Sequence, residues 1–307
     1  MKANTKMLYV VLLAAAIVAP LVGAYPVFLM KALCFALFAC AFNLLVGFTG
    51  LLSFGHAAFL GTGGYVAGYA IKSMGLPFEI SIIAGVIAAA AIGYLVGSLA
   101  IRRQGIYFSM ITLALSQLIY FIYLQAPFTG GEDGIQGIPR GKLLGMIDLE
   151  NDLVFYYVVL AIFLFGFWLV YRTIHSPFGQ VLKSIRENEP RAISLGYDVD
   201  KYKLLAFVIS AGLAGLAGST KTISLHLASL TDVTWQASGE VVLMTLLGGL
   251  GTILGPVVGA IIVVTLQNYL ASYGSWVTVI MGVIFVVCVL AFRRGVVGEL
   301  RAAFNRP

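Results

Sequence analysis

Leu153-Val-Phe-Tyr-Tyr-Val-Val-Leu-Ala-Ile-Phe-Leu-Phe-Gly-Phe-Trp-Leu-Val-Tyr171 holds no charged side chain, and Arg172 follows at once. About 20 helical residues at 1.5 Å each reach across a hydrocarbon core roughly 30 Å thick. The stretch therefore reads as a membrane-spanning helix with a cation at its exit. Working outward from it, comparable apolar runs lie at about 8–22, 27–47, 51–71, 80–101, 105–124, 204–225, 238–249, 253–270 and 276–292. The run at 238–249 is short, which fits a half-helix or a re-entrant segment. The expectation is an all-α polytopic membrane protein with about ten crossings (eight to ten), forming a single domain over 1–307.

Composition points the same way. Of 307 residues, 60% are apolar and 10% charged, against about 45–50% and 25% in soluble domains. Water cannot solvate that much apolar surface, so lipid must. Glycine is abundant at 35 residues, and in a bilayer small residues let helices approach closely. The net charge of +6 could suggest nucleic acid, but the cations sit in short loops and form no single basic stripe. Cys34, Cys40 and Cys288 lie in apolar runs without metal or disulfide spacing and read as small hydrophobes.

The placement of Lys and Arg sets the orientation. With the N-terminus inside and ten alternating crossings, Lys2, Lys6, Arg102, Arg103, the cations from Arg172 to Lys203, and Arg293, Arg294, Arg301 and Arg306 all fall inside. Lys72, Arg140 and Lys142 fall outside, and Lys31 and Lys221 fall within runs. Both termini are therefore expected on the cytoplasmic face. Lys2 and Lys6 before Leu8–Val22 and a Gly23-Ala24 end resemble a signal peptide. A retained first helix is expected instead, because so hydrophobic a chain needs no separate export signal.

Two polar segments are too long to be turns. The outer one, 125–152, carries Glu132, Asp133, Asp148, Glu150 and Asp152. The inner one, 172–203, has local helix signals. Ser176 is a good N-cap followed by Pro177, and Asn188-Glu189-Pro190 repeats the arrangement before Gly196 supplies a stop. Two short helices are expected, with Lys183, Arg186, Glu187, Glu189 and Arg191 exposed. They form either a docking element for a soluble partner or an amphipathic loop on anionic lipid. Leu45–Gly55 and Leu247–Gly255 each place a Gly-rich break between apolar runs, a weak internal repeat of the kind that marks discontinuous helices beside a transport path.

The run Ser176-Pro177-Phe178-Gly179-Gln-Val-Leu-Lys183-Ser-Ile-Arg186-Glu187-Asn188-Glu189-Pro-Arg191-Ala-Ile-Ser-Leu-Gly196-Tyr197 resembles the cytoplasmic coupling loop of branched-chain amino acid ABC-importer permeases. Lys203–Gly218, Gly50–Phe59, Gly105–Ala114 and Thr129–Pro139 resemble the same family, in its order and over roughly residues 40 to 260. The long outer segment looks like the larger of its two permease types. The resemblance implies a type II-importer-like permease that works with a second homologous permease, two cytoplasmic ATPases and a periplasmic binding protein delivering leucine, isoleucine or valine. It implies a bacterial inner-membrane location, no enzymatic activity and no cofactor. The chain has no Gly-x-x-x-x-Gly-Lys-Ser/Thr motif, so ATP hydrolysis would belong to other chains. Ser176 to Gly196 would then seat in an ATPase groove, and Glu132 and Asp133 would help seat the binding protein.

Single residues carry further expectations. His56 either borders the translocation path with Ser53 and Asn43, or is a neutral imidazole stabilising the helix break. Lys31 and Lys221 are expected to snorkel to an interface, Glu240 to lie near the outer surface, and Gln117 to make an interhelical hydrogen bond. Tyr25, Trp168, Trp235 and Trp276 sit where interfacial anchors do. Gly251/Gly255/Gly259, Gly64/Gly68 and Gly93/Gly97 are expected in tight helix packing. Same-family permeases for urea or short amides are an alternative. An ion-coupled secondary transporter would place carboxylates within spans, whereas the acids here lie in loops or at span ends. An enzyme would need clustered nucleophiles or metal ligands, yet His56, His175 and His226 are remote in sequence.

Overall fold

The computed structural model describes residues 14–304, apart from Leu21, Leu144, Met146, Ser275 and 292–294. Lys2, Lys6, the start of the first apolar run (8–13), Arg293, Arg294 and Arg306 lie outside the described residues, as do the side chains of Cys288 and Arg301.

Twelve helices are described in full: α1 Pro26–Thr49, α2 His56–Lys72, α3 Phe78–Ala100, α4 Ile106–Gln125, α5 Asp152–Ile174, α6 Pro177–Glu187, α7 Glu189–Ser194, α8 Val199–Leu225, α9 Trp235–Gly248, α10 Gly255–Leu270, α11 Trp276–Ala291 and α12 Gly295–Phe304. The all-α membrane architecture is thus as the sequence reads. Among the described residues, α1, α3, α4, α5 and α8 are long and apolar enough to cross a membrane. The other apolar runs form shorter helices. α9, with 14 residues, reaches only about 21 Å.

Burial sorts these helices into two layers. In α1 and α8 the apolar window is 78% buried, whereas in α3, α4 and α5 it is 33–39% buried. The first two are therefore central struts, and the others present long apolar faces outward, including Ile83, Ile87 and Leu95 on α3 and Phe165 and Trp168 on α5. Tyr25, Trp168, Trp235 and Trp276 are all exposed, as interfacial anchors must be. α8 packs against α1, α2 and α3, α2 against α3, and α9 against α10, which in turn lies on α1.

Missing side chains make this packing possible. A Cβ on Gly63 would meet the backbone of Gly215, one on Gly218 the carbonyl of Leu60, and one on Gly259 the carbonyl of Met244. Helices α2, α8, α9 and α10 thus touch backbone to backbone, as small-residue membrane interfaces do. The expected glycines Gly64, Gly93 and Gly97 are also filled against α8.

Contacts also sort the loops between two ends. At one end sit the breaks 50–55 and 249–254 and the α6–α7 pair. At the other, the 125–152 segment folds over the turn between α8 and α9. Ile135 and Gln136 pair antiparallel with Ala228 and Leu227, and Lys142–Leu143 with Asp148–Ile147. His226, held at φ 55°, exchanges bonds with Ile138 through Nδ1 at 2.7 Å and its own carbonyl at 3.2 Å.

Arg140 locks that segment down. It is 3% exposed, pairs with Asp152 at 2.6 Å, donates to the carbonyls of Ser224 (3.2 Å) and Glu150 (3.4 Å), and lies 4.7 Å from the Phe155 ring centroid. The sequence placed Arg140 in an outer loop, whereas the fold buries it.

Candidate functional site

The inner polar segment forms the two capped helices its sequence specifies. Ser176 Oγ accepts from the Gly179 N–H at 3.3 Å with Pro177 at the first helical position, and Asn188 Oδ1 accepts from the Arg191 N–H at 3.1 Å. Gly179 is needed because a Cβ there would strike the carbonyls of Thr173 and Ile174. α6 turns Leu182 and Ile185 inward, where Ile185 joins Ala192 and Val199 in a small separate core. Phe178 stacks on Tyr202 with ring centroids 5.6 Å apart. Glu189 accepts from Lys203 Nζ at 2.6 Å and from Gln104 Nε2 at 2.8 Å, tying α7 to α8 and to the loop before α4. Asp198 caps α8. Its hydrogen bond from Lys201 holds its carboxyl below the usual carboxylate range.

Arg186, Glu187 and Arg191 are exposed, as read from sequence, while Lys183 and Glu189 are half-buried. Lys183 Nζ lies 5.8 Å from the Phe48 ring centroid. The pattern of charges did not reveal the apolar knobs of the same surface: Ile193 (58% exposed), Leu195 (67%) and Tyr197 (40%) project from the end of α7. Their signal was present as apolar residues in a solvated segment.

Arg186 joins this surface to the bundle. Its Nη1 donates to the carbonyl of Gly47, in the last turn of α1. Two glycines of the breaks lie against the same side chain. A Cβ on Gly50 would come 3.3 Å from Arg186 Cγ, and one on Gly251 would come 3.2 Å from Nη1. Gly50 and Gly251 also have φ of 77° and 74°, where glycine alone is unstrained.

Asn43 joins the two breaks to each other. Its Oδ1 accepts from the Gly251 N–H at 3.0 Å and its Nδ2 donates to the Thr252 carbonyl at 2.9 Å. Ser53 Oγ accepts from the Gly55 N–H at 3.2 Å and shapes the first break from within. His56 opens α2 and is fully buried among Phe38, Phe42, Phe59 and Phe207. The Ser210 hydroxyl gives its proton to the Ala41 carbonyl, so at 2.7 Å it must accept from His56 Nε2–H. The three path candidates are therefore all buried, and each holds backbone or a neighbouring helix. They flank one break without converging on a common point.

Glu132 and Asp133 occupy an exposed 3-10 turn, Gly131–Asp133, at the opposite end. That turn packs on the turn Leu230–Val233. Gln117 has no hydrogen-bond partner for its Nε2 among the described residues, unlike the interhelical bond expected of it. No group of three or more His, Cys, Asp or Glu side chains there could hold a metal ion.

The permease protein LivM of the high-affinity branched-chain amino acid transport system of Escherichia coli is 28% identical over 81% of this chain. Its Salmonella typhimurium counterpart is 27% identical over the same share. A probable branched-chain amino acid transport permease protein LivM of Methanocaldococcus jannaschii is 27% identical over 66% of the chain and 60% of its own length. The chain spans 64% of the length of the two bacterial relatives. No solved structure matches it. The model of one family, described as the branched-chain amino acid transport system / permease component, matches residues 25–290, and this chain, a multi-pass membrane protein, belongs to that family.

Proposed function

We propose that this chain forms part of the translocation path of an ATP-driven importer for leucine, isoleucine and valine in a bacterial inner membrane. It would work with a second homologous permease and two cytoplasmic ATPases docked on α6–α7. A periplasmic binding protein would dock at the 125–152 end, near Glu132 and Asp133. Both termini would then be cytoplasmic. The observation that carries this reading is the Arg186 link. The exposed surface of α6–α7 is bonded by Arg186 to the Gly47 carbonyl at the end of α1, beside both breaks, so a push on that surface reaches the broken helices through that side chain.

The physical sequence follows from those contacts. An ATPase that grips Ile193, Leu195 and Tyr197 displaces α6, and Arg186 transmits the displacement to Gly47 and the neighbouring glycines. Asn43 carries it to the second break at Gly251–Thr252. Short α9 and α10 meet at glycines, so they can slide with little side-chain interlock. In this reading ATP hydrolysis belongs to the other chains, since this sequence has no Gly-x-x-x-x-Gly-Lys-Ser/Thr motif, and the part of this chain is mechanical.

Purification from its native cells with mass spectrometry of copurifying proteins tests the reading. Recovery of two ATPases and a second permease, with the ATPases lost from a Leu195→Asp variant that is still membrane-inserted, is the expected result. A chain recovered alone or as a homo-oligomer, with no ATPase, would overturn it.

A further inference from the structure

Helix α4 differs from the other long helices in how it is held. Of the five described helices long and apolar enough to cross a membrane it is the least buried, and Tyr107, Met110, Leu118 and Phe121 are each more than half exposed. α5 and α8 also run from one end of the bundle to the other, but both are wedged. α8 meets α2 backbone to backbone, and a Cβ on Gly166 of α5 would lie 2.5 Å from Leu37 Cδ1 of α1. α4 instead lies on α2 through the ring faces of Tyr65 and Tyr123, with centroids 5.0 Å apart and planes within 14°. Flat faces interlock less than ridges set into grooves, which leaves α4 the span freest to shift along its axis.

Both ends of α4 are tied to the two proposed docking surfaces. At the outer end, Thr129 is fully buried and offers its hydroxyl proton to the carbonyls of Tyr123 (2.5 Å) and Ala126 (2.7 Å). The same oxygen accepts from the Gly131 N–H at 3.4 Å, so the turn that carries Glu132 and Asp133 is built on the end of the helix. At the inner end, two residues before the helix begins, Gln104 Nε2 donates to Glu189 of α7 at 2.8 Å. Between these ends α4 grips the first break. Ser109 Oγ donates to the Leu52 carbonyl at 2.6 Å, Thr112 Oγ1 accepts from the Phe54 N–H at 3.2 Å, and a Cβ on Gly55 would lie 2.5 Å from the Thr112 carbonyl oxygen.

We propose that α4 is the linkage by which a binding protein seated on the Glu132–Asp133 turn controls ATP hydrolysis on the opposite side of the membrane. Pressure on the turn reaches the end of α4 through Thr129. The helix shifts as a unit, carries the break at Leu52–Gly55 with it, and moves α7 through Gln104 and Glu189. Gln104 and Thr129 are thus positioning residues at the two ends of one rod. Such a linkage requires a second setting of the helix. Gln117 Nε2 on α4 and the Tyr65 hydroxyl on α2 are buried without hydrogen-bond partners among the described residues, a costly state that a shifted α4 can relieve. The proposal rests on the importer reading and adds to it a route from the outer partner to the inner one, separate from the Arg186 contact.

The test uses the complete importer in nanodiscs and measures ATP hydrolysis with and without its binding protein loaded with L-leucine. In the parent, the loaded binding protein is expected to raise hydrolysis about fivefold or more. Thr129→Val and Gln104→Leu should each cut that rise to about twofold or less, at saturating binding protein and with basal hydrolysis and thermal midpoint unchanged. Combining them should cost no more than either alone, because both interrupt the same rod. Thr129→Ser and Gln104→Lys, which keep the donors, should restore most of the rise.

Full stimulation in both single variants would overturn the linkage. So would losses that compound in the double variant, or losses that Thr129→Ser and Gln104→Lys fail to restore. A loss accompanied by a lowered basal rate or midpoint marks a structural role and overturns it as well. A parent complex whose hydrolysis ignores the loaded binding protein sinks the linkage alone, whereas a complex without ATPases sinks the importer reading.

Discussion

At the scale of single residues, the side chains that matter most are polar groups whose partners lie far away in the chain. Arg140 is the clearest. Replacing it with Ala leaves the buried carbonyl of Ser224 without its donor and removes the ion pair to Asp152, which is 45% exposed and can turn to water. Arg140→Ala should cost about 2–4 kcal/mol, read as a lowered midpoint in a thermal-shift assay of the detergent-solubilised protein. Arg140→Lys keeps the charge but not the fork that serves several acceptors, and should recover less than half of the loss. A midpoint unchanged in both would show that the lock carries no stability. Asn43 escaped a structural reading for a plain reason. Its partners Gly251 and Thr252 lie 208 and 209 positions along the chain, and no local pattern encodes them. The same holds for Lys221, which near a span end reads as snorkelling, whereas the fold pairs it with Asp232.

At the scale of elements, the legible features were the local ones. Ser176-Pro177 and Asn188-Glu189-Pro190 specify capped helices within a few residues of themselves, and the structure has those helices with those caps. The Gly-rich breaks were legible as breaks because glycine interrupts apolar runs. Their joining was not, since it depends on α1 and α10 lying side by side. That junction predicts a graded result. Asn43→Ala removes both bonds to the second break, and Asn43→Asp keeps the acceptor for Gly251 N–H but sets a carboxylate against the Thr252 carbonyl. Uptake by cells should fall in Asn43→Ala and fall further in Asn43→Asp, at membrane levels matched by immunoblot. Asn43→Asp transporting as well as the parent would remove Asn43 from the linkage.

At the scale of the whole molecule, the order of apolar runs and the distribution of Lys and Arg together assigned each loop to one of two ends, and the contacts sort the loops in the same way. Gln104 meets Glu189 at one end and Lys72 meets the Gln136 carbonyl at the other. Helix length was less legible, because breaks at 50–55 and 249–254 shorten the elements that apolar content alone would extend. Which end faces the cytoplasm is open to a direct test. A cysteine replacing Glu132 should react with a membrane-impermeant maleimide in intact spheroplasts, and one replacing Arg191 only after permeabilisation. The reverse labelling would invert the orientation. The two-residue ladder between Ile135–Gln136 and Leu227–Ala228, together with the Arg140–Ser224 bond, carries a consequence for biosynthesis. At about 5–20 residues per second, the ribosome makes the 125–152 segment several seconds before its partner strand exists. Throughout that interval Arg140 has Asp152 within reach but lacks the Ser224 carbonyl, and Ile135–Gln136 lack their partner strand, a timed opening in which a quality-control protease could tell a stalled chain from a finished one.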